Sequence, residues 1–301
     1  MKTFKTLLLR EWMQHQRGWL ILIALPILIF ALAGTFGQMH FDMDEDAVRD
    51  APGPLVVALG TIGGVAIMSL GLAWLASMLQ SPGLARRDVQ DRSLEFWLSL
   101  PTSHTQSLAA PLLMHLLLVP WLALAAGLAG GLVVSLLIVA KHFGIVAWFT
   151  LPWGSMLAAL LMLALRVMVG LVLASLWLSP LILGTMAASA WLKRWGVPVV
   201  VGVVGVGGLW LDKVYGNPVV WRVLQYLGEQ ASLALFLADR SDNMNIHNEE
   251  ELASLLHILP GWALSDTGSA LAALASPGFV GALAAGAAAF ALLWLRRRRG
   301  A

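Results

Sequence analysis

The residues able to do chemistry in this chain are few and scattered. Arg166 is the one charge deep within a long apolar run. An arginine placed there is costly unless it meets a partner or water. It either lines a path, pairs across a subunit contact, or hydrogen-bonds a backbone carbonyl, Ser155 or Ser175. His115, in another apolar run, raises the same question, and a satisfied core histidine is the expected answer. Met39, His40 and Met43, and separately Met244 and His247, carry donor types that suit copper. Neither group has a third or fourth ligand near it in sequence, so ordinary loop residues are expected and no metal site is assigned. The chain has no cysteine, which removes thiolate metal sites, thiol redox chemistry and disulfides. No Gly-Lys pair occurs, so there is no phosphate-cradling P-loop, and His-Glu-x-x-His, Gly-x-Ser-x-Gly and Gly-x-Gly-x-x-Gly are also missing. No catalytic residue and no resident cofactor are assigned.

One polar stretch stands out, RRDVQDRSLEFWLSLP, residues 86–101, between two long apolar runs. Asp88, Asp91 and Glu95 recur at i, i+3 and i+7 and share one helical face. Arg87 with Asp91, and Asp88 with Arg92, are i, i+4 pairs that support a helix by a few tenths of a kcal/mol each. Val89, Phe96 or Trp97, and Leu100 fall on another face. Pro82-Gly83 is expected to end the preceding span, Pro101 to stop the polar helix, and Thr102 or Ser103 to cap the next one. Phe96 and Trp97 could anchor such a helix in lipid. Its mixed charges favour a groove on a partner protein instead, because a lipid-seeking helix is usually basic on its polar face.

These residues must be positioned by membrane-crossing helices. Of 301 residues, 59% are hydrophobic and 12% charged, about half the charge fraction of a soluble domain. Apolar runs reach spanning length, and the run after Arg17 is too long for a cleavable signal. Six spans are expected, at 19–37, 54–80, 105–140, 152–192, 197–211 and 279–295, with the fourth broken or kinked near Pro180. Residues 2–19 read as an amphipathic in-plane elbow entering the first span. Residues 212–278 read as short amphipathic helices on the outer interface, with Trp and Tyr at headgroup depth. The glycines at 202, 205, 207 and 208 are expected to serve close helix packing. No internal duplication is visible.

The net charge is only +2, but its distribution fixes an orientation. If the N-terminus is cytoplasmic and 152–192 crosses once, the cytoplasmic side holds 13 of the 19 basic residues and four of the 17 acidic ones. Two crossings there would put either Lys193-Arg194 or Arg296–Arg299 outside, against the positive-inside bias. The fold class is therefore an all-α membrane protein of six transmembrane helices, both termini inside, forming one domain over 1–301.

The block DVQDRSLEFWLSLPTSHTQSLAAP resembles a pattern in the permease subunits of bacterial ATP-binding-cassette exporters of the second type. Asp91, Arg92, Ser93, Phe96, Trp97, Ser99, Leu100, Pro101 and Ser103 fit it, and His104 stands where an acidic residue is common. ASAWLKRWGVP is similar to the family's turn between spans four and five, and ASPGFVGALAAGAAAFALLWLRRRR to its last span. The resemblance implies a multi-pass protein of the bacterial cytoplasmic membrane. It implies a permease homodimer working with two copies of a separate ATPase that holds ATP and magnesium. Residues 85–101 would be the coupling helix, with Arg86, Arg87, Asp88, Asp91, Arg92, Glu95, Phe96 and Trp97 docking the ATPase. Arg166 and His115 would be candidates for the translocation path of a hydrophobic or amphipathic cargo. No nucleic acid is implied. A membrane-embedded enzyme, or a scaffold that transports nothing, are the alternative readings.

Overall fold

A computed structural model describes residues 2–37, 53–90, 103–235 and 249–298, with the side chains of residues 2, 3 and 86–90 outside the description. Among the described residues the chain is all-α, with no strand. Six helical stretches are long and apolar enough to cross a membrane: Phe4–Phe36, Pro54–Ala85, His104–Phe143, Trp153–Trp177, Ser179–Tyr215 and Pro277–Arg298.

Helix α1 runs unbroken over Lys2–Phe36. The in-plane elbow expected at its start is not a separate element, because the polar segment continues straight into the apolar one, and even Pro26 does not end the helix. Helix α2, Pro54–Gln90, likewise runs through Pro82 and Gly83, where a stop was expected. A proline removes one backbone donor and crowds the preceding turn, but neighbouring helices can absorb both costs in a membrane bundle. Helix α3, His104–Leu113, starts at Ser103, whose hydroxyl accepts from the Gln106 N–H at 3.2 Å. It passes through a π-helical turn, Met114–Leu118, into α4, Val119–Phe143. A short α5, Ile145–Phe149, leads to α6, Trp153–Trp177.

The expected break near Pro180 falls at Leu178, where the helix leaves αR geometry, and α7, Ser179–Leu192, begins with the proline in its first turn. Pro180 is tolerated there because the first turn of a helix has no backbone acceptor to lose. The apolar stretch Ser179–Tyr215 is not one rod. Lys193 takes φ 53°, and a 3-10 turn at Lys193–Trp195 separates α7 from α8, Gly196–Tyr215. Gly196 packs onto the backbone of Ala188 and Ser189, with no room for a Cβ, so the chain reverses. Helices α6 and α7 cover the expected fourth span and α8 the expected fifth, whereas by length and composition alone α6 is one candidate passage and α7 with α8 the next.

The segment after α8 folds into α9, Val219–Leu235, and α10, Glu249–Ala272. A 3-10 turn at Ala273–Ala275 then leads to α11, Pro277–Arg298. Helices α9 and α10 both pack lengthwise on α6. This is a closer attachment to the bundle than a pair of interfacial helices would need.

The two ends of the bundle are distinct. At one end Leu55, Val139, Trp148, Leu151, Met156 and Leu256 form a core cluster. There the Lys141 ammonium donates to the carbonyls of Gly34, Thr35 and Gly37 at 3.0–3.2 Å, closing the last turn of α1. Glu249 accepts from the Leu55 N–H at 2.8 Å, closing the first turn of α2. At the other end Leu108, Leu116, Ile182, Met186 and Leu293 cluster, with Leu84 and Ala85 against them, and Arg296 reaches the carbonyl of Ala190 at 3.4 Å. Lys193, Arg194 and Arg296–Arg298 therefore lie at the same end as the C-terminal turns of α2. The charge argument expected these basic residues at one end.

The largest helix contact is α2 on α4. Glycine makes it close: a Cβ on Gly127 would lie 2.8 Å from the Ala66 Cα, and one on Gly131 2.8 Å from the Ile62 Cα. Gly127 and Gly131 are four apart, the small-xxx-small spacing that lets membrane helices approach.

Candidate functional site, a buried ion pair beside an apolar cleft

Arg166 sits half-way along α6 and is 2% exposed. Its Nε donates to Asp266 Oδ2 at 2.6 Å, and the Asp266 side chain is 7% exposed. Nη1 donates to the Ala234 carbonyl at 2.7 Å, and Nη2 faces the Leu233 carbonyl at 3.5 Å. Those carbonyls belong to the last described turn of α9. The guanidinium thus joins α9 by its carbonyls and α10 by its carboxylate, and stands on α6. Gly170, one turn on, allows the approach: a Cβ there would lie 2.8 Å from Arg166 Nη1. The planar fork of arginine suits this three-way contact in a way a lysine ammonium does not.

The sequence left Arg166 between lining a path or pairing across a subunit contact and a structural bond to a carbonyl, Ser155 or Ser175. The carbonyls are there, the serines are not, and the carboxylate went unnoticed. Asp266 lies 100 residues away, in a segment assigned to the outer surface. The available signal was a single acid among small and apolar residues, Leu264 to Ala270.

His115 is fully buried in the π turn, with Nδ1 3.1 Å from the Pro111 carbonyl, so that nitrogen carries the proton. Its ring meets Trp19 edge-on at 4.9 Å and His15 at 5.2 Å, both on α1. Arg166 faces α9 and α10 whereas His115 faces α1, so the two candidates for a path turn to different helices. Among the described residues, no three His, Asp or Glu side chains group as a metal site would require.

A cleft of roughly 280 Å³ opens between α3 with its π turn, the α6–α7 break, and α11. Leu112, Leu116, Leu176, Leu183 and Phe290 line it, and its hydroxyl-bearing residues are Ser175 and Ser179. The oxygens of both serines are covered and have no hydrogen-bond partner. Elsewhere the bundle's hydroxyls do find partners: Ser77 donates to Ala73 O at 2.8 Å, Ser135 to Leu132 O at 3.0 Å and Thr185 to Ile182 O at 2.9 Å.

Arg86, Arg87 and Asp88 lie in the last turn of α2 by backbone, while Asp91, Arg92, Glu95, Phe96 and Trp97 lie outside the described residues. So do Met39, His40, Met43, Met244 and His247. Of the glycines at 202, 205, 207 and 208 in α8, Gly208 packs against Val220 and Trp221, whereas Gly202, Gly205 and Gly207 meet nothing within 4 Å. No family model, no curated protein and no solved structure matches the chain.

Proposed function

We propose that this chain is the membrane-spanning subunit of an ATP-driven exporter of the second ATP-binding-cassette type, moving a hydrophobic or amphipathic cargo. The observation that carries the reading is the unbroken course of α2. From Pro54 the helix runs to Gln90 as one body, so the charged stretch 86–97 begins as the tip of a spanning helix. A push on that tip travels along α2 into α4, its most extensive partner. Rigid-body displacement of this kind is how a nucleotide-driven subunit can switch a membrane bundle.

The chain carries no P-loop, so the ATP must be held by another protein. Two such ATPases would serve a permease homodimer in the bacterial cytoplasmic membrane, with the basic end of the bundle in the cytoplasm. Asp88, Asp91 and Glu95 would offer the polar face to the ATPase, and Phe96 and Trp97 the aromatic anchor.

Co-purification tests this directly. The chain should retain a soluble ATPase from its own cells, and Trp97→Ala combined with Asp91→Arg should lose it. Unchanged retention by the double variant would remove segment 86–97 as the docking surface.

A further inference from the structure

We infer that the cleft between α3, the α6–α7 break and α11 binds one acyl chain of an anionic phospholipid, whose phosphate rests on the basic end of α11. The inference does not depend on the transport reading.

Every wall of the cleft comes from a helix of spanning length and apolarity. Exposed leucines on two of those helices, Leu181 and Leu292, show a surface made for hydrocarbon. Water is a poor occupant, because it needs polar partners and the only two hydroxyls have their oxygens covered. An apolar chain fills such a cleft with dispersion contacts at no polar cost.

Charge selects the lipid. Arg297 lies seven residues beyond Phe290, two helical turns and about 10 Å along α11, on the same face. Arg296 and Arg298 flank it, and Arg296 binds Ala190 O one turn short of Lys193 and Arg194. A chain lying in the cleft and rising toward this rim brings its phosphate among several cations. Each basic group near a membrane surface attracts anionic lipid by about 1 kcal/mol.

The cleft also joins two deformable points. One wall carries the π turn Met114–Leu118 and another the break at Leu178.

The test uses the full chain in nanodiscs with phosphatidylglycerol bearing a diazirine on one acyl chain. Phosphatidylcholine with the same chain serves as comparator, and crosslinks are located by peptide mass spectrometry. Phosphatidylglycerol should label 109–117, 172–183 and the Phe290 peptide severalfold more than the exposed Val197–Val206 face of α8. Leu183→Trp, or Val172→Trp from the other wall, should abolish that excess while leaving the melting temperature and the α8 labelling in place. Arg296→Gln, Arg297→Gln and Arg298→Gln together should bring phosphatidylglycerol down to the phosphatidylcholine level. Uniform labelling, equal labelling by the two lipids, or an excess that survives both tryptophans would overturn the assignment. So would efficient pairing of two copies through Leu113→Cys, which would put a second chain on the cleft.

Discussion

At the scale of single residues, the Arg166–Asp266 contact carries the sharpest stability prediction. Removing one partner leaves the other charged and buried. Asp266→Ala should therefore cost about 3–5 kcal/mol, read as a large drop in melting temperature in detergent. Replacing both, Arg166→Met with Asp266→Leu, should recover most of that loss, because apolar side chains of similar size carry no desolvation penalty. A double variant as unstable as Asp266→Ala would show that the bonds from Arg166 to the α9 carbonyls, not the ion pair, dominate. The serines of the cleft predict the opposite sign. Ser175→Ala and Ser179→Ala remove hydroxyls that bond to nothing, and should be neutral within about 0.5 kcal/mol or slightly stabilising. Ser77→Ala, which removes a bonded hydroxyl, should cost about 1 kcal/mol in the same assay. That Arg166 needed a partner was legible in the sequence, since a guanidinium in hydrocarbon is untenable alone. Which acid it meets was not, because nothing local links positions 166 and 266.

Among elements, close approach decides the outcome. A Cβ on Gly131 meets the backbone of Ile62, which cannot move aside as a flexible side chain can. Gly131→Val should separate α2 from α4 and lower the yield of monodisperse protein sharply, as judged by size-exclusion chromatography. Gly202→Ala, with nothing within 4 Å, should be tolerated and gain up to about 1 kcal/mol in helix propensity. The existence of the spans could be read from apolar length, but their limits could not. Pro82-Gly83 has the composition of a helix stop, and the helix continues because its flanks, Met78 and Leu84, are held against α7 and α11. Pro180 does coincide with a break, because it sits in the first turn of α7, where its missing N–H costs no intrahelical bond. Gly202, Gly205 and Gly207 were misread for a physical reason: α8 lies in the least buried of the six candidate spans, Ser179–Tyr215, and only Gly208 of the four meets a neighbour. Composition there reveals flexibility or an approach surface, not which neighbour is present.

For the whole molecule, the charge asymmetry and the packing agree on which ends lie together. The absence of native cysteine makes the agreement easy to test. Single cysteines at Trp195 and Arg298 should react with an impermeant maleimide from one side of the membrane. Those at Thr150 and Tyr215 should react from the other. Finding Trp195→Cys and Arg298→Cys on opposite sides would break the arrangement of α6, α7 and α8 into one broken passage and one return. The clamp on α6 has a further consequence, for how the chain is made. Ribosomes add roughly 5–20 residues each second, so the 100 residues from Arg166 to Asp266 take about 5–20 s to appear. Throughout that interval α6 can already be entering the membrane with a cation whose carboxylate has not been synthesised. The carbonyls of Leu233 and Ala234 arrive first, about two-thirds of the way through the wait. Insertion of this protein is thus ordered in time: α6 stays provisional, held near water or the insertion machinery, until α9 and then α10 emerge to release it into the bilayer.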